Sequence, residues 1–244
     1  MNAFGRIFKA GITLWYTIVK ENWLVVASVS LMSSGLPSDI SQQVDKGISL
    51  LKRGGIVAFP TDTIYGLGAA ASSPQAVARV YEVKKRPANM PLPLLLAHVS
   101  QIEDVARPVT PLARLLVEKF LPGALTLVLL KSRSIPDIVT AGRTTVAVRI
   151  PAHPVPVALV EGLGAPILGT SANLSGRPSA LTAGEVSAQL GGKVDLVIDG
   201  GRCPGGREST IVDVTGEVPI VLREGALSVR ELVQACPGVV FRRA

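Results

Sequence analysis

Ile56-Val57-Ala58-Phe59-Pro60-Thr61-Asp62-Thr63-Ile64-Tyr65-Gly66 sets four apolar residues against a polar loop that opens at a proline. A run this short and this apolar, stopped at Pro60, is predicted to be a buried strand whose end feeds a functional loop. Upstream, Ser38-Asp39 can cap a helix that carries Ile40, Val44, Ile48, Leu50 and Leu51 on one apolar face, and Gly54-Gly55 ends it. Downstream the alternation continues. Ser73-Pro74 starts a helix through Val77, Val80 and Tyr81, with proline in the first turn. Strands are predicted at 94–97, 125–130, 145–150, 167–170 and 196–199, and as a pair at 210–214 and 218–223 about a turn at Thr215-Gly216; helices are predicted at 111–120 and 183–190. Strands interleaved with helices and hairpins imply an α/β fold, a mixed sheet flanked by helices.

The chain has 244 residues, no internal repeat, and no linker or charge run that would divide it, so one main domain is expected over residues 37–235, with 236–244 as a tail. Residues 1–36 read as an N-terminal extension. Within it, Arg6 and Lys9 precede two apolar runs, 11–19 and 23–31, split by Lys20-Glu21-Asn22. Neither run reaches the ~20 residues needed to span a bilayer, so no membrane helix is expected. The charge-then-apolar order is signal-like, and a true start at Met32 is the other reading.

The net charge is +7, but the cations are scattered and aromatic residues make up only 4%, which disfavours a stacking platform for single-stranded nucleic acid. Cys203 and Cys236 form no C-x-x-C pair, so neither a zinc site nor a disulfide framework is indicated and a reduced, cytoplasmic protein is expected. His98 and His153 are too few for triad chemistry beside Ser171, which lacks a G-x-S-x-G elbow; both read as loop residues.

What remains is four polar islands: residues 60–66, Lys84-Lys85-Arg86-Pro87, Ser171-Ala172-Asn173-Leu174-Ser175-Gly176, and Glu208-Ser209-Thr210. Hydroxyls, amides and cations without a histidine or carboxylate cluster suit the alignment of anionic substrates. Lys84 and Arg86 could equally compensate a helix C-terminus, although the stiff loop 87–93 behind them could hold both against a strand end. Arg149 closes an apolar strand, so its charge requires a partner, either an internal acid or a substrate carboxylate. Ser171, Asn173, Ser175 and Ser179 could cap the next helix, or line the carboxyl end of a strand where ligands sit in open α/β sheets. Gly66-Leu67-Gly68-Ala69-Ala70-Ala71 fits a dinucleotide fingerprint loosely; because it follows a Thr-Asp-Thr loop, close packing of small residues is the preferred reading. Gly200-Gly201 and Gly205-Gly206 suggest a mobile segment before Glu208.

In order along the chain, P-T-D-T-x-Y-G-L-G, K-x-R-P, V-A-V-R-x-P, G-T-S-A-N-x-S-G and E-S-T-I-V-D resemble the YrdC/Sua5 family of threonylcarbamoyl-AMP synthases, over about residues 40 to 230. The resemblance implies a twisted mixed sheet flanked by helices around a basic concave cavity, in the short form of the family. It implies a nucleotidyltransferase that joins L-threonine, bicarbonate or CO2 and ATP into threonylcarbamoyl-adenylate for the t6A modification of tRNA, handing its product to tRNA threonylcarbamoyl transferase machinery. Lys84, Arg86, Ser171 and Asn173 would form the catalytic tetrad. Threonine would meet Thr63, Arg149, the backbone at Gly169, and Ser209. ATP would meet Arg86, the backbone near Met90, Thr145, Ser171, Ser179 and Arg223, with Mg2+ arriving on the triphosphate and no protein cage for the metal. Family members commonly carry Lys or Asn at the position of Met90, and some a histidine at that of Leu95, so those side-chain contacts differ here. A noncatalytic RNA-binding or ribosome-associated module is the alternative; weak tRNA contact is compatible with either.

Overall fold

The polar loop at 60–65 joins two antiparallel strands at the centre of a small sheet in the computed structural model, which describes residues 35–237 and 239–243. The expectations for residues 1–31 lie outside these, and Leu36–Ala244 clusters as one compact unit. Helix α1 (Ser38–Lys52) buries Val44, Gly47 and Leu51. Its N-cap is Pro37 and not Ser38, whose side chain makes no capping bond; Asp39 instead lies in the first turn, where a negative charge opposes the helix dipole. Gly54, at φ 78°, turns the chain out of α1 into β1 (Val57–Phe59).

Strand β2 (Gly66–Gly68) was not anticipated from sequence, since two glycines in three residues are a poor strand signal. It pairs antiparallel with β1, Phe59 opposite Gly66 and Val57 opposite Gly68. A Cβ on Gly66 would stand 2.8 Å from the Phe59 ring, and one on Gly68 2.7 Å from it. Packing, not dinucleotide binding, therefore explains these glycines. Gly68→Ala is expected to destabilise by about 1–3 kcal/mol through overpacking, and Phe59→Leu in the same chain to recover most of it in thermal melts.

Helix α2 (Pro74–Lys84) is capped by Ser73, whose Oγ accepts from the Ala76 amide, and ends at Lys85 in left-handed conformation (φ 51°). Then follow β3 (Leu94–Leu95), α3 (Ile102–Val105), α4 (Pro111–Phe120), β4 (Leu125–Leu130), α5 (Asp137–Thr140) and β5 (Thr145–Arg149). Helix α6 (Pro154–Leu163) escaped the sequence reading because two prolines fall in a nearly uniform apolar stretch; both lie in the first turn, where no intrahelical N–H partner is lost.

The predicted strand at 167–170 is two strands. β6 (Ile167–Leu168) pairs with β3 at the edge of a seven-stranded sheet, and β7 (Thr170–Ser171) pairs with β2 at the edge of a four-stranded one. Gly169 makes the switch, and a Cβ there would lie 2.3 Å from the Leu95 side chain. The remaining elements are α7 (Ala183–Leu190), β8 (Leu196–Val197), β9 (Thr210–Asp213), β10 (Ile220–Arg223), α8 (Val229–Ala235) and β11 (Arg242–Arg243). Strand orders are β7-β2-β1-β8 and β11-β10-β9-β4-β5-β3-β6, with parallel and antiparallel pairs in both. This is the mixed sheet and helix arrangement expected, divided into two sheets. The core is mostly aliphatic, with Leu67, Leu94 and Leu127 below 2% exposure beside the aromatic rings of Phe59 and Tyr65, equally buried.

Candidate active site

Thr61 shapes the loop between β1 and β2. Its Oγ1 accepts from the amides of Thr63 (3.0 Å) and Ile64 (3.2 Å) and donates to the Ile64 carbonyl (2.7 Å), a side-chain turn that turns Asp62 and Thr63 toward the end of β5. There Arg149, 7% exposed, donates from Nε to the Gly123 carbonyl (2.9 Å), from one terminal nitrogen to Thr63 Oγ1 (2.8 Å) and from the other to Asp62 Oδ1 (2.7 Å). Of the two partners considered from sequence, the internal acid is present, and it is Asp62. Burial lowers the proton affinity of Arg149 and the Asp62 carboxylate raises it, so the buried charge is held by the pair. Three of the five guanidinium N–H groups are committed; each terminal nitrogen keeps one.

The glycine-rich segment before Glu208, read from sequence as mobile, is tied onto this loop. Tyr65 donates to the Gly201 carbonyl (2.8 Å), the Gly206 amide donates to the Thr63 carbonyl (3.1 Å), and a Cβ on Gly205 would stand 2.7 Å from the Asp62 carbonyl and 2.8 Å from Thr63 Cα. Gly205→Ala must push residues 62–63 away from Arg149. It is expected to raise KM for the amino-acid substrate about tenfold or more, with a smaller effect on KM for the nucleotide, in steady-state kinetics.

Lys84 ends α2 and is 1% exposed. Its ammonium donates to the Ser171 carbonyl, to the Asn173 carbonyl (2.7 Å) and to Asn173 Oδ1 (3.2 Å), which uses all three N–H groups. Burial, assisted by Arg86, brings its pKa down to about 7. The Asn173 amide nitrogen donates to the Arg177 carbonyl, and the Ser175 amide to the Lys84 carbonyl (2.9 Å), so Lys84 and the 171–175 loop form one unit. Arg86 follows the left-handed Lys85 and donates to the carbonyls of Met90 (3.2 Å) and Pro91 (2.9 Å). Those partners are neutral, so its charge stays uncompensated.

From the other side β9 and β10 deliver Ser209 and Arg223. Arg223 donates to the Ser209 carbonyl (2.9 and 3.2 Å), and Ser209 Oγ shares a hydrogen bond with Thr126 (2.7 Å). Ser179 donates to Glu208 Oε1, which holds that carboxyl below the usual carboxylate range. Arg223 is lowered first by burial, then raised by Glu208 and lowered again by Arg149 and Arg86. Arg149 and Arg86 thus both lie near enough to Arg223 to disfavour its charge.

Lys84, Arg86, Ser171 and Asn173 are brought together, as are Thr63 with Arg149 and Ser209 with Arg223, while Ser179 joins through Glu208. Met90 offers its carbonyl to Arg86, and its side chain is exposed. Gly169 directly precedes β7. Thr145 shares the Arg149 face of β5 but begins the strand, ~13 Å along it at strand rise. Two cavities, of about 570 and about 220 Å3, are lined by other residues, the larger by Lys52, Arg53, Ser73 and Arg79 among them. Neither contains a residue of the four polar islands, and Arg79 in the larger one is paired with Asp195. Asp62 and Glu208 went unassigned from sequence, although both stand in the hydroxyl-rich islands.

The family model Sua5/YciO/YrdC, described as telomere recombination, matches residues 49–225. The chain belongs to this family. It is 44% identical over 182 residues to threonylcarbamoyl-AMP synthase of Pyrococcus abyssi, covering 75% of this chain and 54% of that one, and 42% identical over 199 residues to that of Bacillus subtilis, covering 81% and 57%. The crystal structure of P. abyssi Sua5 complexed with L-threonine superposes with a TM-score of 0.79 at 41% identity, over 82% of this chain and 58% of that one. This Sua5/YciO/YrdC chain therefore spans little more than half the length of these relatives.

Proposed function

We propose that this protein is an L-threonylcarbamoyladenylate synthase, a nucleotidyltransferase that uses L-threonine, bicarbonate or CO2, and ATP. The observation that carries the reading is Arg86 with neutral partners only, placed near Arg223 and near an Arg149 that is paired with Asp62 but keeps two N–H groups, beside the hydroxyls of Thr63, Ser171 and Ser209 in a chain of this family. Such a set neutralises phosphate and carboxylate at once.

In this reading the threonine amine takes up CO2 as a carbamate. A carbamate oxygen then attacks the α-phosphorus of ATP, and the bond to the bridging oxygen breaks as pyrophosphate leaves. Arg149 and Thr63, with the backbone at Gly169 and Ser209, hold threonine. Arg86 and Arg223 offset the triphosphate, with Ser171, Ser179, the backbone at Met90 and Thr145 along the nucleotide, inside the basic concavity that the resemblance implies. Lys84 and Asn173 complete the tetrad by holding the 171–175 loop. Alignment and charge neutralisation do the chemistry, and no strong protein base is required. The two carboxylates of the site are engaged, Asp62 by Arg149 and Glu208 by Ser179, so Mg2+ would enter with ATP and be held chiefly by its phosphates. The adenylate would pass to tRNA threonylcarbamoyl transferase machinery in the cytoplasm. Among the described residues no helix is long and apolar enough to cross a membrane.

With 13C-bicarbonate, threonine and ATP, mass spectrometry is expected to find one labelled carbon in an adenylate that also contains threonine. An unlabelled aminoacyl-adenylate, or no adenylate, would overturn the assignment.

A further inference from the structure

Arg149 and Asp62 present opposite charges 2.7 Å apart at the mouth of the same loop. The pair is not symmetrical in what it still offers. Arg149 keeps one N–H on each terminal nitrogen. Asp62 accepts through Oδ1 only; its Oδ2 accepts no hydrogen bond among the described residues, and it is not a sealed buried atom, since every occluded side-chain polar atom there is partnered. The Asp62 side chain is 16% exposed and the Arg149 side chain 8%, so both sit in a low-dielectric wall where a further hydrogen bond to a charged group is strong.

A ligand that meets both groups carries an anion beside a hydrogen-bond donor, and the bond is strongest when that donor is cationic. An α-amino acid offers both, with its carboxylate and ammonium on one carbon. We propose that Asp62 is a specificity-determining residue that accepts a hydrogen bond from the substrate's α-amino group through Oδ2, while Arg149 takes the α-carboxylate. This rests on the proposed use of threonine and adds to it. In this arrangement a hydroxy acid of the same shape without the amine binds less well, because it brings no donor on the α-carbon and no positive charge to Oδ2.

The test is calorimetric binding of L-threonine and of its amine-free counterpart 3-hydroxybutanoate to the wild type and to Asp62→Asn. Asparagine keeps an oxygen acceptor for Arg149 and removes the charge. The wild type is expected to prefer threonine by about tenfold or more, and the variant to lose about 10- to 100-fold in threonine affinity with 3-hydroxybutanoate unchanged within about twofold. Equal losses for both ligands would mean that Asp62 only orients Arg149, and would overturn the proposal, as would unchanged threonine affinity. Should the variant fold poorly, a wild type that binds both ligands equally overturns it without the variant. Failure of the wild type to bind threonine at all would instead bring down the proposed function along with it.

Discussion

Replacing Arg149 with alanine is expected to lower kcat/KM for L-threonine by roughly 30- to 1000-fold, equivalent to about 2–4 kcal/mol, as a charge-assisted contact to the substrate carboxylate is lost. KM for ATP should move much less, because Arg86 and Arg223 are left in place. The loss has two sources that kinetics can separate. One is the direct contact. The other is the stranding of Asp62, whose Oδ1 has Arg149 as its partner, beside Thr63 and Thr61 in a loop that is otherwise buried. Arg149→Lys restores the charge but not the fork, and cannot reach Gly123, Thr63 and Asp62 together. It should therefore recover stability in melts more than it recovers threonine turnover. Near-normal threonine kinetics in Arg149→Ala would remove this residue from the site.

The second large effect is expected at Lys84. Lys84→Met keeps the volume and removes all three donors, leaving the Ser171 and Asn173 carbonyls and Asn173 Oδ1 without their ammonium partner. We expect a loss of about 2–4 kcal/mol in unfolding free energy and a fall in kcat, since the 171–175 loop would no longer be fixed. The pH dependence has a definite sign. The folded-state pKa is about 7, below the free-lysine value of 10.5, so between those limits the unfolded chain binds the proton and the folded chain does not. Wild-type stability should accordingly rise relative to Lys84→Met as pH climbs above about 7, by up to about 1.4 kcal/mol per unit, and run parallel to it below. A constant gap from pH 6 to pH 9 would show that the three acceptors hold the proton throughout.

Much of this was legible in the sequence where local chemistry decides structure. Ser73-Pro74 marks a helix start, whereas the helices at 111–120 and 183–190 are capped by Thr110 and Thr182, the latter in place of the serines and Asn173 offered from sequence; each hydroxyl accepts from the third residue of its helix. Apolar runs at 125–130 and 145–149 became β4 and β5 because β-branched and leucine side chains fit strands with one face buried and the other partly covered. What was hidden depends on distant partners. Gly66 and Gly68 form a strand because Phe59 fills the space their side chains would take, and the 167–170 run splits because Leu95 occupies the side of Gly169. The α8 helix, with its Ser228–Glu231 capping box, was overlooked despite a signal that sequence carries. In the site, the cations and hydroxyls were named from motifs. That Arg149 pairs with Asp62 while all three donors of Lys84 face inward is set by strand register and by the left-handed turn at Lys85, neither of which periodicity reveals.

Pyrophosphate release from ATP, measured with threonine, bicarbonate and Mg2+ and with each omitted in turn, bears most directly on whether these groups clasp an amino acid beside a nucleotide. Release that requires threonine, bicarbonate and ATP together is the expected result. Release without threonine, or none under any condition alongside tight, steeply salt-dependent RNA binding, would contradict it.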